Sequence, residues 1–243
     1  MSLTVDDVVL DRRAVAPLSV SNRQPLTIGG KLKCDQVTIT CDYFSGDIDA
    51  VRIEVGSAQP RPTGAVVFED GFDDGFTRWA RVTGMTIDDT LGSPAPPSAR
   101  LSVVEAVAWA EAFLPATTDS PCVSVDVSVT DASAAVLFRL RTESGEPIVR
   151  VRLDDGGFLR VRSDVSGASS PRAALLGSGW HRIALCGSIG PAGSWALYRD
   201  GVSVLAGWVA DTGTLPAGRV WIGDKALRTW TANFDRVIVE DLG

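Results

Sequence analysis

Apolar and polar residues alternate with a period of two along much of the chain, and no window of a dozen residues keeps apolar positions at helical spacing. The cleanest alternations predict strands over Cys122–Thr130, Ala134–Arg141, Ile148–Leu153, Phe158–Arg162, His181–Cys186, Trp195–Tyr198, Arg219–Gly223 and Phe234–Val239. Asp154-Asp155-Gly156-Gly157 and Arg199-Asp200-Gly201 have the residue types of tight turns and predict hairpins. Many short strands divided by such turns indicate an all-β chain, an antiparallel β-sandwich of the jelly-roll kind.

The pattern also repeats. Leu3–Val8 aligns with Leu197–Val202, and Ile28–Lys31 aligns with Ile222–Lys225 at the same offset. Ile48–Ile53 matches Phe234–Val239 at a shorter offset, so the first copy carries an insertion between these motifs, and that insertion holds Cys34 and Cys41. Residues 1–56 therefore read as a partial copy, holding only the C-terminal strands of a unit that is complete over 65–243. Residues 57–64, with Pro60 and Pro62, read as the linker. A partial sandwich exposes strand edges and an open core face. The expectation is that residues 1–56 are completed by another protein chain, by an upstream fragment or by the second unit.

Composition narrows the function classes. With 30 acidic against 23 basic residues the net charge is −7, which argues against general nucleic-acid binding, and no apolar run is long enough to span a bilayer. Residues 1–25 lack a basic segment followed by an apolar one, so no secretory signal is read there. The four cysteines form no C-x-x-C pair. A bridge between Cys34 and Cys41 would close the inserted hairpin in an oxidising compartment, whereas Cys122 and Cys186 face each other or are merely buried.

Four motifs follow in order along the second unit: Gly179-Trp180-His181, Tyr198-Arg199-Asp200-Gly201, Val220-Trp221-Ile222-Gly223 and Phe234-Asp235-Arg236-Val237. The first unit repeats this tail in Ile28-Gly29-Gly30 and Ile48-Asp49-Ala50-Val51. In this order the motifs resemble the laminin-G-like group of the concanavalin A-like lectin and glucanase superfamily. That resemblance implies a jelly roll, and it leaves activity open because the fold carries lectins, adhesion modules, hydrolases and lyases alike.

The candidate chemistry lies in two places. Arg139 and Arg141, Arg150 and Arg152, and Arg160 and Arg162 alternate with apolar Leu140, Val151 and Val161, so each pair points away from the core. If the three strands form a meander, six guanidinium groups share a face that suits the carboxylates or phosphates of an acidic glycan. The competing reading is that Asp126, with Ser124 and Ser128, neutralises that face from a neighbouring strand. Asp70 and Asp73, brought near Asp235 by neighbouring first and last strands, would supply oxygen ligands for a structural calcium ion; alternatively, Asp235 caps a turn.

Catalytic signals are weak. The E-x-D-x-x-E pattern of a carboxylate pair is missing, and the single histidine, His181, sits where a packing residue is expected. Among the tryptophans, Trp180, Trp195 and Trp221 read as core, and Trp109, Trp208 and Trp230 as candidates for exposure. The expectation is a non-catalytic recognition or adhesion module that binds cell-surface glycan, with or without calcium. It would act outside the cell or on a virion surface, as in a bacteriophage tail or decoration protein. The rivals are a structural assembly subunit that binds protein and a polysaccharide-degrading enzyme.

Overall fold

The computed structural model describes residues 2–5, 8–12, 61–132 and 134–243. The chain divides into two compact units, Met1–Ile53 and Glu54–Gly243. In the first, β1 (Ser2–Val5) and β2 (Val8–Arg12) form an antiparallel hairpin. Cys34, Cys41 and the motifs around Ile28 and Ile48 lie outside the described residues.

The second unit contains β3 (Ala65–Asp70), β4 (Arg81–Thr83), β5 (Met85–Asp88), β6 (Ser98–Thr118), β7 (Pro121–Ala132), β8 (Val136–Thr142), β9 (Pro147–Leu153), β10 (Leu159–Ser163), β11 (Trp180–Gly187), β12 (Gly193–Arg199), β13 (Val202–Ala210) and β14 (Ala217–Asp241). No helix occurs among the described residues, and the strand pairings are antiparallel. The second unit is an all-β sandwich of the jelly-roll kind.

Two long strands tie its layers together. The first half of β14 pairs with β8 and with the second half of β6, whereas its second half pairs with β7, β3 and the first half of β6. The Arg219–Gly223 and Phe234–Val239 segments are thus one strand and not two. The break in the apolar pattern between them marks the change of partner. Gly223 makes that change possible: its φ is +83°, and a Cβ there would lie 2.3 Å from the Ala108 carbonyl oxygen. One layer then runs β10-β9-β8-β14-β6-β4, and the other runs outward from β14 through β7, β11, β12 and β13.

The core between the layers is supplied by the alternate residues of the strands. Val123, Val125 and Val127 of β7, Leu140 of β8, Val149 and Val151 of β9, Ile183 and Leu185 of β11 and Phe234 of β14 are all buried in one cluster. Each such side chain contributes about 1.5–3 kcal/mol on leaving water, so the period of two fixes which residues of every strand remain outside.

The repeated sequence has a counterpart in strand register. β1 and β2 pair Val5 with Val8, Thr4 with Val9 and Leu3 with Asp11. β12 and β13 pair Arg199 with Val202, Tyr198 with Ser203 and Leu197 with Leu205, with the irregularity at the same step. These are the residue pairs that the sequence alignment places in correspondence.

Candidate functional site: an arginine-lined sheet face

β8, β9 and β10 form the meander, and its register stacks the arginines across strands. Arg150 lies opposite Arg139 on one side and Arg162 on the other, and Arg152 lies opposite Arg160. All six candidate arginines are half-buried, while the residues between them are buried on the core side. Like charges directly opposite one another weaken a sheet, so this arrangement opposes stability unless anions meet it.

The protein meets it only in part. Arg150 Nε lies 3.2 Å from Asp164 Oδ1, and Arg160 Nε lies 3.8 Å from Asp154 Oδ2. Arg141 donates to the Gly145 carbonyl, and the Arg152 Nε bond to the Leu153 carbonyl is long at 3.4 Å. The Nε atoms of Arg139, Arg150, Arg160 and Arg162 are buried and have no hydrogen-bond acceptor, since the Arg150 contact with Asp164 is an ion pair without hydrogen-bond geometry. Burial pushes the Arg139, Arg141 and Arg150 guanidinium pKa values down. Asp164 opposes that shift in all three, and neighbouring arginines reinforce it.

The expected neutralising strand is elsewhere. Asp126 and Ser124 of β7 are taken by Arg182 of β11, at 2.7 Å for each contact, because β7 pairs with β11 and β14 and not with β8.

The face continues onto β14 and β6, where the sequence reading found no site. Trp221 lies opposite Arg139 and Glu111 opposite Trp221, giving the row Arg162, Arg150, Arg139, Trp221, Glu111 across five strands. The guanidinium carbons of Arg139 and Arg141 lie 5.6 and 4.2 Å from the Trp221 ring centroid, and Lys225 Nζ lies 3.9 Å from that of Trp109 and 4.1 Å from that of Trp221. Burial, followed by the charge of Arg141, pushes the Lys225 pKa down. Glu111 is 1% exposed; it accepts from the Trp221 indole N–H and from Arg219 Nη1. The alternation Trp109, Glu111, Phe113 was available as a signal, but the apolar run Ala106–Ala110 before Glu111 hides it. Trp109 and Trp230, expected at the surface, are buried, and Trp208 is half-buried.

The acidic candidates gather at another place. β3 pairs with the end of β14 so that Asp70 lies opposite Val237, two residues from Asp235. A cavity of about 340 Å³ is lined there by Asp70, Asp73, Asp74, Arg78 and Arg236. Asp70 accepts from the Phe72 N–H and the Trp79 indole N–H, and Asp235 accepts from the Ser93 and Arg236 N–H groups. Among the described residues, no three His, Cys, Asp or Glu side chains are arranged to hold a metal ion. Asp70 and Asp235 are thus engaged by protein donors, whereas Asp73 is exposed.

His181 Nδ1 lies 2.8 Å from Asp200 Oδ2, and Nε2 lies 3.2 Å from the Ser178 carbonyl, which ties the start of β11 to the β12–β13 turn. Cys122 and Cys186, opposite each other on β7 and β11, form a disulfide.

No protein-family model matches the chain, and no curated protein does. Solved structures do. An endo-β-1,4-glucuronan lyase from the fungus Trichoderma reesei is 11% identical over 73% of this chain and 96% of its own, with a TM-score of 0.52. The globular domain of T. cruzi calreticulin is 12% identical over 73% of this chain and 88% of its own, at 0.54. A Bacillus subtilis protein of unknown function with a galectin-like fold is 17% identical over 74% of this chain and 97% of its own, at 0.53. The likeness is one of fold, a β-sandwich of the jelly-roll kind. Function has to be argued from the site that this sandwich carries.

Proposed function

We propose that this protein is a non-catalytic recognition module that binds an acidic cell-surface glycan through Arg139, Arg141, Arg150, Arg152, Arg160 and Arg162. The observation that carries this reading is the set of four buried Nε donors, on Arg139, Arg150, Arg160 and Arg162, that have no acceptor. Buried donors in folded proteins are almost always paired, and guanidinium groups pair best with carboxylates and phosphates. The finer reading is a laminin-G-like module at an extracellular or virion surface, on the strength of the ordered motifs in both units. Binding without turnover is supported by the missing carboxylate pattern and by the engagement of His181 with Asp200 and Ser178. The rival reading is an assembly subunit whose arginine face meets carboxylates of another protein.

A glycan array read at physiological salt, with light scattering for mass, separates these readings. A monomer that retains acidic glycans and ignores neutral ones is the expected result. A defined oligomer that retains no glycan would replace the glycan with a protein partner, and shortening of a bound polysaccharide would make the protein an enzyme.

A further inference from the structure

The alternation that places Arg160 and Arg162 on the arginine face continues one step past β10, to Asp164. The Asp164 side chain is only 7% exposed. Its Oδ1 lies 3.2 Å from Arg150 Nε, and its Oδ2 is buried without any hydrogen-bond partner. Its charge also acts on Arg139 and Arg141. A buried carboxylate with an unpaired oxygen is costly unless cations offset it, and here Arg150 lies beside it while its charge also reaches Arg139 and Arg141.

The fold does not require that carboxylate. The turn after β10 is closed by Ser163, whose Oγ accepts from the Val165 and Ser166 N–H groups, and the Asp164 N–H donates to the Ile148 carbonyl. Both arrangements use backbone or the Ser163 hydroxyl, and neither uses the Asp164 side chain. The carboxylate therefore interacts with the arginines and with nothing that holds the turn.

We infer that Asp164 is an internal stand-in for a ligand carboxylate: it lies beside Arg150, one register step along from the arginine row, and an incoming anion must compete with it for Arg150 and for the field it exerts on Arg139. This rests on the reading of the arginine face as an anion-binding surface and adds what sets its selectivity. A ligand with a single charge cannot outweigh a carboxylate tethered beside the guanidinium groups. A polyanion that reaches Arg160, Arg162 and Arg141 at the same time can. The face thus discriminates by density of charge along the ligand and not by the presence of one acidic group, so the partner chemistry is a polyuronate or similarly repeating polyanion.

The test compares the wild-type chain with Asp164→Asn and Asp164→Glu, by titration calorimetry with an oligogalacturonate and with galacturonic acid at several salt concentrations. Asp164→Asn is expected to bind the oligomer about ten-fold tighter, to show measurable binding of the monosaccharide, and to steepen the salt dependence by about one released counterion. Asp164→Glu should remain near wild type. Unchanged or weaker binding by Asp164→Asn, with an unaltered unfolding midpoint, would show that Asp164 merely positions Arg150 and would overturn the inference. A second readout needs no glycan: inorganic sulfate should raise the unfolding temperature of Asp164→Asn more than that of wild type. If that differential appears while neither chain binds the oligogalacturonate, the glycan reading falls and the internal-anion inference stands. If both readouts are silent, both fall.

Discussion

Asp126 and Asp235 lie directly opposite each other on β7 and β14, and one loop residue, Ser93, holds both: its hydroxyl donates to Asp126 Oδ2 at 3.0 Å and its N–H to Asp235 Oδ2 at 2.7 Å. The bulge that allows this falls at Arg236, whose φ of +42° turns the strand and aims its own N–H at Asp235 Oδ1. Burial, reinforced by the charge of Asp126, pushes the Asp235 pKa up to about 6 despite those two N–H donors.

A pH dependence of stability follows from that pair. Because the folded pKa of Asp235 is above the unfolded value, its contribution is fully present below about pH 4 and is lost as pH rises through about 6. Urea unfolding from pH 4 to 8 should show a decline of roughly 3 kcal/mol from this group, flattened in Asp235→Asn. Asp88 acts in the opposite sense. Hydrogen bonds from Thr90 hold its pKa down to about 2, so its contribution is present above about pH 4 and is lost as pH falls through 2.

Charge reversal tests the arginine face. Arg150→Glu and Arg160→Glu should each weaken binding of an acidic glycan by at least ten-fold, because a charge-assisted bond worth about 1.5–3 kcal/mol is replaced by repulsion. The double variant should bind nothing measurable in the same titration, while circular dichroism stays that of the parent.

Glu111 anchors the other end of the row. Glu111→Ala leaves the buried Trp221 indole N–H without an acceptor and Arg219, 15% exposed, without its carboxylate. The expected loss is about 3 kcal/mol of unfolding free energy, accompanied by a change in tryptophan fluorescence. Glu111→Gln, which retains one acceptor, should lose less.

The Cys122–Cys186 bridge closes a loop with a sequence separation of 64. Replacing both cysteines with alanine should lower stability by about 4 kcal/mol on the chain-entropy account. Reducing agent should then shift the parent's unfolding midpoint and leave the variant's unchanged.

What the sequence alone determined was everything carried by the period of two. The all-β class and the outward side of each arginine pair follow from alternation within single strands, where each residue's side is set by its parity, while the β8 to β10 meander that joins the three pairs into one face was shown by the strand pairing. The β9–β10 and β12–β13 hairpins were legible for a similar reason, since turn residues fix register locally. Tertiary structure decided what lies beside what. β6 was illegible because its run of alanines and valines masks the alternation, and with it went Trp109 and Glu111 as members of the site. The continuity of β14 was hidden by the stretch from Gly223 to Arg228, where one strand exchanges β8 for β7. Whether Asp126 would neutralise the arginines depended on which strand lies next to β7, and pairing between distant strands is set by burial of the whole core and not by any local pattern. Asp164 combined both kinds of information: its parity placed it on the face, and only the packing of β9 against β10 set its carboxylate beside Arg150.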